Sequence, residues 1–213
     1  MTQDHFLEIV RPYTMTSIER INELFNSLEY IRLNNIEGDI VECGVWKGGN
    51  ILGILEYLYF HNILDKTVWL YDTFQGMTVP EEVDVDLDGR KASEILPQVL
   101  CYFPLDEVKQ NLSTSKFPNE RIKYIIGDVC ETLNSKNNVP NKISLLRLDT
   151  DWYQSTKKEM EVLYPHLIKK GVLIVDDYGH WKGSKTAVDE YFESHNFSPN
   201  IEEIDYTGIK IIK

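Results

Sequence analysis

The 213 residues are 42% hydrophobic and carry a net charge of −12 with a pI near 4.9. That is enough chain for one sizeable core, and the acidic balance excludes a protein that neutralises many phosphates, so no nucleic-acid partner is expected. Three cysteines without a CxxC pair, a polar start in place of a signal peptide, and no apolar stretch of the roughly 18 residues a bilayer requires point to a soluble, cytoplasmic protein with no membrane partner.

In chain order, Thr16 and Glu19 have capping-box spacing, and Ile18, Ile21, Leu24, Phe25, Leu28 and Ile31 recur at helical intervals, which predicts an amphipathic helix over 17–34. Its apolar face can pack on its own sheet or on a second subunit, so a homo-oligomer is one possible partner arrangement. Five apolar runs rich in β-branched and aromatic residues follow, at 39–45, 67–73, 122–128, 143–150 and 171–176, as suits parallel strands buried on both faces. Helical stretches at 49–60 and 153–169 alternate with them, and the last residues, 201–213, hold two strand-like pieces around Thr207-Gly208 that can close as an antiparallel edge hairpin. The pattern is a Rossmann-like α/β domain spanning 1–213. An insertion at 76–118 interrupts it with an acidic loop, 80–89, and helical segments near 91–102 and 105–112; a flexible lid is the expectation.

Ligands of open α/β sheets sit beyond the carboxyl ends of the strands, so those ends carry the functional reading. The first leads into Glu42-Cys43-Gly44-Val45-Trp46-Lys47-Gly48-Gly49-Asn50, whose glycines permit a tight turn close to a ligand. Glu42 there suits a cationic amino-acid group and would repel a pyrophosphate. Asp72, beside Thr73 at the second strand end, is placed to accept both hydroxyls of a ribose. Asp128, at the third, can meet an adenine amino group or simply cap the next helix.

The strongest signal is at the fourth and fifth ends. Asp149 and Asp151 stand two residues apart in Leu148-Asp149-Thr150-Asp151, and Asp176-Asp177 follow Ile174-Val175. Neighbouring strands lie ~4.8 Å apart, so four carboxylates crowd one small volume and call for a compensating cation. Oxygen-only ligands suit Mg²⁺, which would orient an acceptor hydroxyl and lower its pKa for a carboxylate to deprotonate.

These motifs, in this order, resemble the macrocin O-methyltransferase (TylF-type) family. The likeness rests on Asp39 to Gly49, Tyr71 to Met77, Leu148 to Tyr153, Val175 to Trp181, Leu163 to Pro165, Ala187 to Tyr191 and Ile204 to Gly208. It implies a class I methyltransferase fold, S-adenosylmethionine as methyl donor, Mg²⁺, and a sugar or glycosylated small molecule as acceptor. It further implies Asp149, Asp176 and Asp177 as metal ligands and Asp151 as general base, with Glu42, Gly44, Trp46, Gly48, Asp72, Thr73, Asp128 and Asp149 around the donor. Tyr153, Tyr178, His180 and Trp181 are candidates for the acceptor side. The N-terminal segment is short beside antibiotic-tailoring members.

Other readings have specific carriers. Tyr153 and Lys157 have the spacing of a short-chain dehydrogenase pair, without the glycine turn that accompanies it. Asp84, Asp86 and Asp88 copy the start of a calcium loop whose twelfth position, Ile95, lacks the required Glu. His166 and Cys43 read as structural, and Arg147, Trp46 and Lys47 as ligand contacts or packing. A catechol-type methyltransferase and a non-catalytic donor-binding subunit are the alternative functions.

Overall fold

The structure is a computed structural model that describes residues 1–95 and 101–213. Its centre is a seven-stranded sheet in the order β3-β2-β1-β4-β5-β7-β6. The strands are β1 (Asp39–Cys43), β2 (Val68–Asp72), β3 (Ile122–Ile126), β4 (Ile143–Leu148), β5 (Leu167–Val175), β6 (Ile201–Glu203) and β7 (Ile209–Ile212). β1 to β5 are parallel, and β7 runs antiparallel between β5 and β6. The predicted strands and the edge hairpin are therefore all present. Every residue of β4 is buried, which is why its sequence runs Ile-Ser-Leu-Leu-Arg-Leu without polar alternation. Winding outward from β1 on one side and β4 on the other leaves a crevice at their carboxyl ends.

The helices cover both faces. On one lie α1 (Gln3–Val10), α2 (Ile18–Leu33), α3 (Gly49–Phe60) and α5 (Leu105–Leu112); on the other, α6 (Val129–Thr132), α7 (Tyr153–Val162) and α8 (Lys182–Ser194). A further short helix, α4 (Ala92–Ile95), sits in the insertion. Ile21, Leu24, Phe25, Leu28 and Ile31 of α2 are buried against α3, β4 and β5 within the same chain, so its apolar stripe is consumed in cis and gives no support to an oligomer.

The structure corrects several boundaries. Ser17, and not Thr16, caps α2 by accepting from the Arg20 N–H at 3.1 Å, which frees the Thr16 hydroxyl to accept from Arg147 at 3.2 Å. The helix expected over 153–169 ends at Val162, because Pro165 has no N–H to give and its ring clashes with the preceding turn; Tyr164–His166 form a 3₁₀ turn and β5 starts at Leu167. The segment expected to be helical over 91–102 is helical at Ala92–Ile95, residues 96–100 lie outside the described residues, and Cys101–Pro104 are non-helical. α1 is an element that the sequence reading lacked: Phe6 and Val10 are fully buried against α3, where a Cβ at Gly53 would come within 2.4 Å of Val10.

The crevice depends on how closely the ends of β1 and β4 approach. Gly44 has φ +81°, and a Cβ there would lie 1.9 Å from the backbone oxygen of Asp149. Gly44→Ala should therefore cost about 2–4 kcal/mol, the sum of left-handed strain and a backbone clash, read as a lower urea midpoint at unchanged m-value. A midpoint equal to that of the parent would show that the β1 turn can move away from β4 freely.

Candidate active site

A cavity of about 280 Å³ opens at the carboxyl ends of β1 to β5. Of the residues expected there, Gly44, Trp46, Asp72, Thr73, Asp128, Asp149, Asp151, Asp176 and Asp177 line it. Asp72 is the last residue of β2 and the others stand in the turns that follow their strands, where the parallel register brings the chain ends together. Glu42, Gly48, Tyr153, Tyr178, His180 and Trp181 lie off the wall.

Backbone amides already occupy much of Asp72. Its Oδ2 accepts from the N–H groups of Val45 at 2.6 Å and Trp46 at 3.1 Å, and its Oδ1 from Phe74 at 2.7 Å. A carboxylate offers about four acceptor positions, so these three bonds fix the orientation of Asp72 and leave acceptor capacity at the cavity wall. Asp128 caps α6 through Oδ1, which accepts from Cys130 N–H at 2.8 Å, and it also lines the cavity. Gly48 supplies the left-handed turn that starts α3 and packs beside Val108 and Leu112.

The crowding of acids is partly relieved by arginines. Arg147, on β4 and 2% exposed, donates from Nη1 to Glu42 and to Asp149 at 2.7 Å each, and from Nη2 to Asp176. Arg20, at the start of α2, donates through Nε to Asp205 at 2.9 Å and through Nη1 to the other oxygen of Asp176. Asp177 has no side-chain hydrogen bond among the described residues. Asp149, Asp176 and Asp177 each present a carboxylate oxygen, and these three atoms lie within 4.8 Å of one another, a span that one hard cation can bridge. The arginines take both oxygens of Asp176, one of Asp149 and none of Asp177, and a carboxylate oxygen that accepts one hydrogen bond keeps a second lone pair that can face a cation.

Asp151 stands apart from that trio. Its backbone adopts φ +67°, in the left-handed region that non-glycine residues rarely occupy, and its Oδ1 accepts from the Trp181 indole N–H at 2.8 Å. Burial, reinforced by Asp149, pushes its carboxyl up to about 8, a value suited to a group that takes a proton near neutrality. Burial likewise raises Asp177, with Asp151 and Asp149 adding to it, and lifts Glu42 to about 7 against the pull of Arg147.

The remaining expected residues have local partners. The Tyr153 hydroxyl donates to Glu190 at 2.7 Å and accepts from Lys157 at 2.9 Å, so the dehydrogenase-like pair forms on the outer side of α7, away from the cavity. Tyr178 donates to Asp189 at 2.7 Å and accepts from Lys185. The His180 ring stacks edge-on between Trp181 and Tyr206. Trp181 supports Asp151 from behind. Cys43 is fully buried and burial raises its thiol, as a structural cysteine requires. Beyond the expected set, Tyr13, Thr14, Met15, Thr16, Arg20 and Asn50 also line the cavity. Of these, Asn50 closes the glycine turn after β1 and Thr16 belongs to the capping-box pair; the other four stand in no motif.

This strand order with an antiparallel seventh strand, a glycine turn after β1 and acids at the following strand ends define a class I S-adenosylmethionine-dependent methyltransferase. The chain belongs to the macrocin-O-methyltransferase (TylF) family, whose model matches residues 9–213, and it is an O-methyltransferase. It is 32% identical to demethyldecarbamoylnovobiocin O-methyltransferase of Streptomyces niveus, over 92% of this chain and 74% of that protein. With mycinamicin III 3''-O-methyltransferase of Micromonospora griseorubida it shares 29% identity over 92% of this chain and 77% of the relative. The solved structure of the O-methyltransferase NovP superposes with a TM-score of 0.82 at 31% identity, covering 94% of this chain and 82% of NovP.

Buried acids that hold protons more tightly folded than unfolded make stability depend on pH. Asp151 (about 8), Glu42 (about 7) and Glu159 (about 8, raised by burial) all titrate above their unfolded values near 4. Between about pH 4 and 8 the folded state binds more protons, so its stability falls as pH rises through that window. Without added divalent cation, the melting temperature should drop by roughly 5 °C or more from pH 5 to pH 8. A flat or rising profile would mean that these carboxyls are ionised throughout.

Proposed function

We propose that the enzyme transfers a methyl group from S-adenosylmethionine to a hydroxyl of a sugar or glycosylated small molecule, with Mg²⁺ held by Asp149, Asp176 and Asp177 and with Asp151 as the base. The observation that carries this reading is the convergence of three carboxylate oxygens within 4.8 Å beside a fourth, separately oriented carboxylate. When bound, the cation supplies Lewis acidity that orients an acceptor hydroxyl and lowers its pKa. Asp151 then accepts the hydroxyl proton on an oxygen, and Trp181 keeps that carboxylate facing inward through its other oxygen. Positioning donor and acceptor in line supplies most of the remaining acceleration.

The donor end is supported by unmatched acceptors. Glu42 Oε2 and Asn50 Oδ1 are buried and have no hydrogen-bond partner among the described residues, while Glu42 Oε1 is shared by Asn50 and Arg147. Two acceptor atoms without donors, behind the β1 turn, suit the ammonium group of the methionine portion, directly or through water. Glu42 would act from behind the wall, and Gly44, Trp46, Asp72, Thr73 and Asp128 on it. The net charge of −12 disfavours nucleic acid, and no helix among the described residues is long and apolar enough to cross a membrane.

Asp151→Asn should lower turnover by at least about 100-fold while calorimetry shows unchanged donor affinity, since it removes a base and no donor contact. Asp177→Asn tests the metal more cleanly than a change at Asp176, which would strand two arginines. It should raise the Mg²⁺ concentration for half-maximal activity by about tenfold or more. Turnover that is insensitive to chelator in the parent would sink the metal assignment whatever the variants do.

A further inference from the structure

The acidic loop of the insertion, which the sequence presents as a solvated lid, is instead docked on the catalytic loops through one buried carboxylate. Asp84 is 0% exposed. Its Oδ2 accepts from the Glu81 N–H at 2.7 Å within the loop, and its Oδ1 reaches across to accept from the Tyr153 N–H at 2.8 Å. Tyr153 is the first residue of α7, and the N-cap residue of that helix, Trp152, offers no side-chain acceptor. Asp84 therefore supplies from a distance the cap that the local sequence lacks.

The same carboxylate touches α8. A Cβ at Gly183 would lie 1.8 Å from Asp84 Oδ1, so only glycine admits the loop there, and the Lys182 N–H donates to the Val85 carbonyl at 2.9 Å. The α8 N-cap, Trp181, has no side-chain cap either. One acid thus sits between two helix N-termini, where both dipoles favour negative charge. α7 starts directly after Asp149–Asp151, and α8 directly after Asp176–Trp181.

Flanking residues complete the clamp. The Trp152 and Trp181 rings meet edge to face at 4.9 Å and pack with Ala92, Met77 and Ile95 of the insertion. The Trp152 indole donates to the Thr78 carbonyl at 3.0 Å, and Trp181 donates to Asp151. Asp151, one residue before Trp152, is the residue that must be held in the left-handed conformation.

From this geometry we infer that Asp84 is a positioning residue that fixes the orientation of Asp151 by pinning the starts of α7 and α8. The inference rests on Asp151 being the base. Without the Asp84 carboxylate, the Tyr153 N–H loses its acceptor, the α7 start can shift, and Asp151 can relax away from Trp181. A displacement of about 1 Å at a reacting group is enough to cost on the order of 100-fold in rate.

The test compares turnover, donor affinity and binding stoichiometry with S-adenosylmethionine in the full chain. Asp84→Ala should lower kcat by about 100-fold, and Asp84→Asn, which keeps an acceptor for Tyr153 but turns an amide N–H toward that of Glu81, by about tenfold. Donor affinity should stay within about twofold at full stoichiometry, a split that loss of folded protein does not produce. Trp181→Phe, which removes the indole N–H to Asp151 together with part of the ring's packing on Trp152, should lower kcat as well, and combining it with either Asp84 change should add little, because both act through Asp151. If Asp84→Ala does not fold, Asp84→Asn is read in its place. Turnover near the parent value in the readable Asp84 variant, or fully additive losses with Trp181→Phe, overturns the inference. A fully active Asp151→Asn overturns the base assignment instead.

Discussion

Repulsion among acids at the carboxyl ends of β1, β4 and β5 is the constraint around which this molecule is arranged. Two carboxylates at the 4.8 Å span seen in the Asp149, Asp176 and Asp177 cluster repel by roughly 3–4 kcal/mol at an effective dielectric near 20. Parallel register brings the acids together and leaves the fold no means of spreading them. Arg147 answers this from inside β4, dividing its donors among Glu42, Asp149 and Asp176. Its own burial is tolerable only because three acids surround it, so neither side of the network is stable without the other. Arg20 extends the chain of charges to Asp205, and the line Glu42–Arg147–Asp176–Arg20–Asp205 ties the first strand to the last hairpin.

This arrangement divides the acids by role. The arginines take Asp176 on both oxygens and Asp149 on one, whereas Asp177 keeps both of its oxygens and Asp151 is turned toward Trp181. A positive charge arriving at the cavity therefore meets unmatched oxygens at Asp177 and Asp149. The left-handed turn at Asp151 sets its carboxylate apart from the Asp149, Asp176 and Asp177 cluster although Thr150 alone intervenes between it and Asp149 in sequence. Such a backbone conformation persists only where neighbours over-determine it. The paired tryptophans and the docked insertion are those neighbours.

What the sequence made legible were features with local periodicity or fixed strand-end placement. Buried parallel strands declare themselves as apolar runs, and the acid that follows each run is delivered to the sheet edge by construction, which is why Asp72, Asp128, Asp149, Asp151, Asp176 and Asp177 all reach the cavity. Contacts across long stretches of chain left no such trace. Arg20 looks like any exposed residue in a helix's first turn, and its partner Asp176 lies 156 positions away. Asp84 sits in a spacing that imitates a calcium loop, while its actual partner is an amide 69 residues on. Tyr153 and Tyr178 belong to motifs beside the acids, yet helical geometry hands them to Lys157 and Asp189 on their own helices or the next. α1 leaves no sequence signature, because eight residues with two buried apolar positions give too short a pattern to stand out.

The segments that shape the mouth of the cavity all come from outside the parallel sheet: Tyr13 to Arg20 before it, Met77, Thr78 and Cys101 within the insertion. The acids of the cavity therefore sit at rigid strand ends and its mouth on connecting chain, the usual division in α/β enzymes. Here the division is incomplete in two places. Arg20 belongs to the mouth and also neutralises Asp176, and the loop bearing Thr78 also carries Asp84 to the start of α7. A change of acceptor that moved either segment as a whole would disturb the charge balance or the orientation of Asp151. The positions able to vary without that penalty are those between the anchors, such as Met15 on one side and Val79 on the other, both of which are largely exposed.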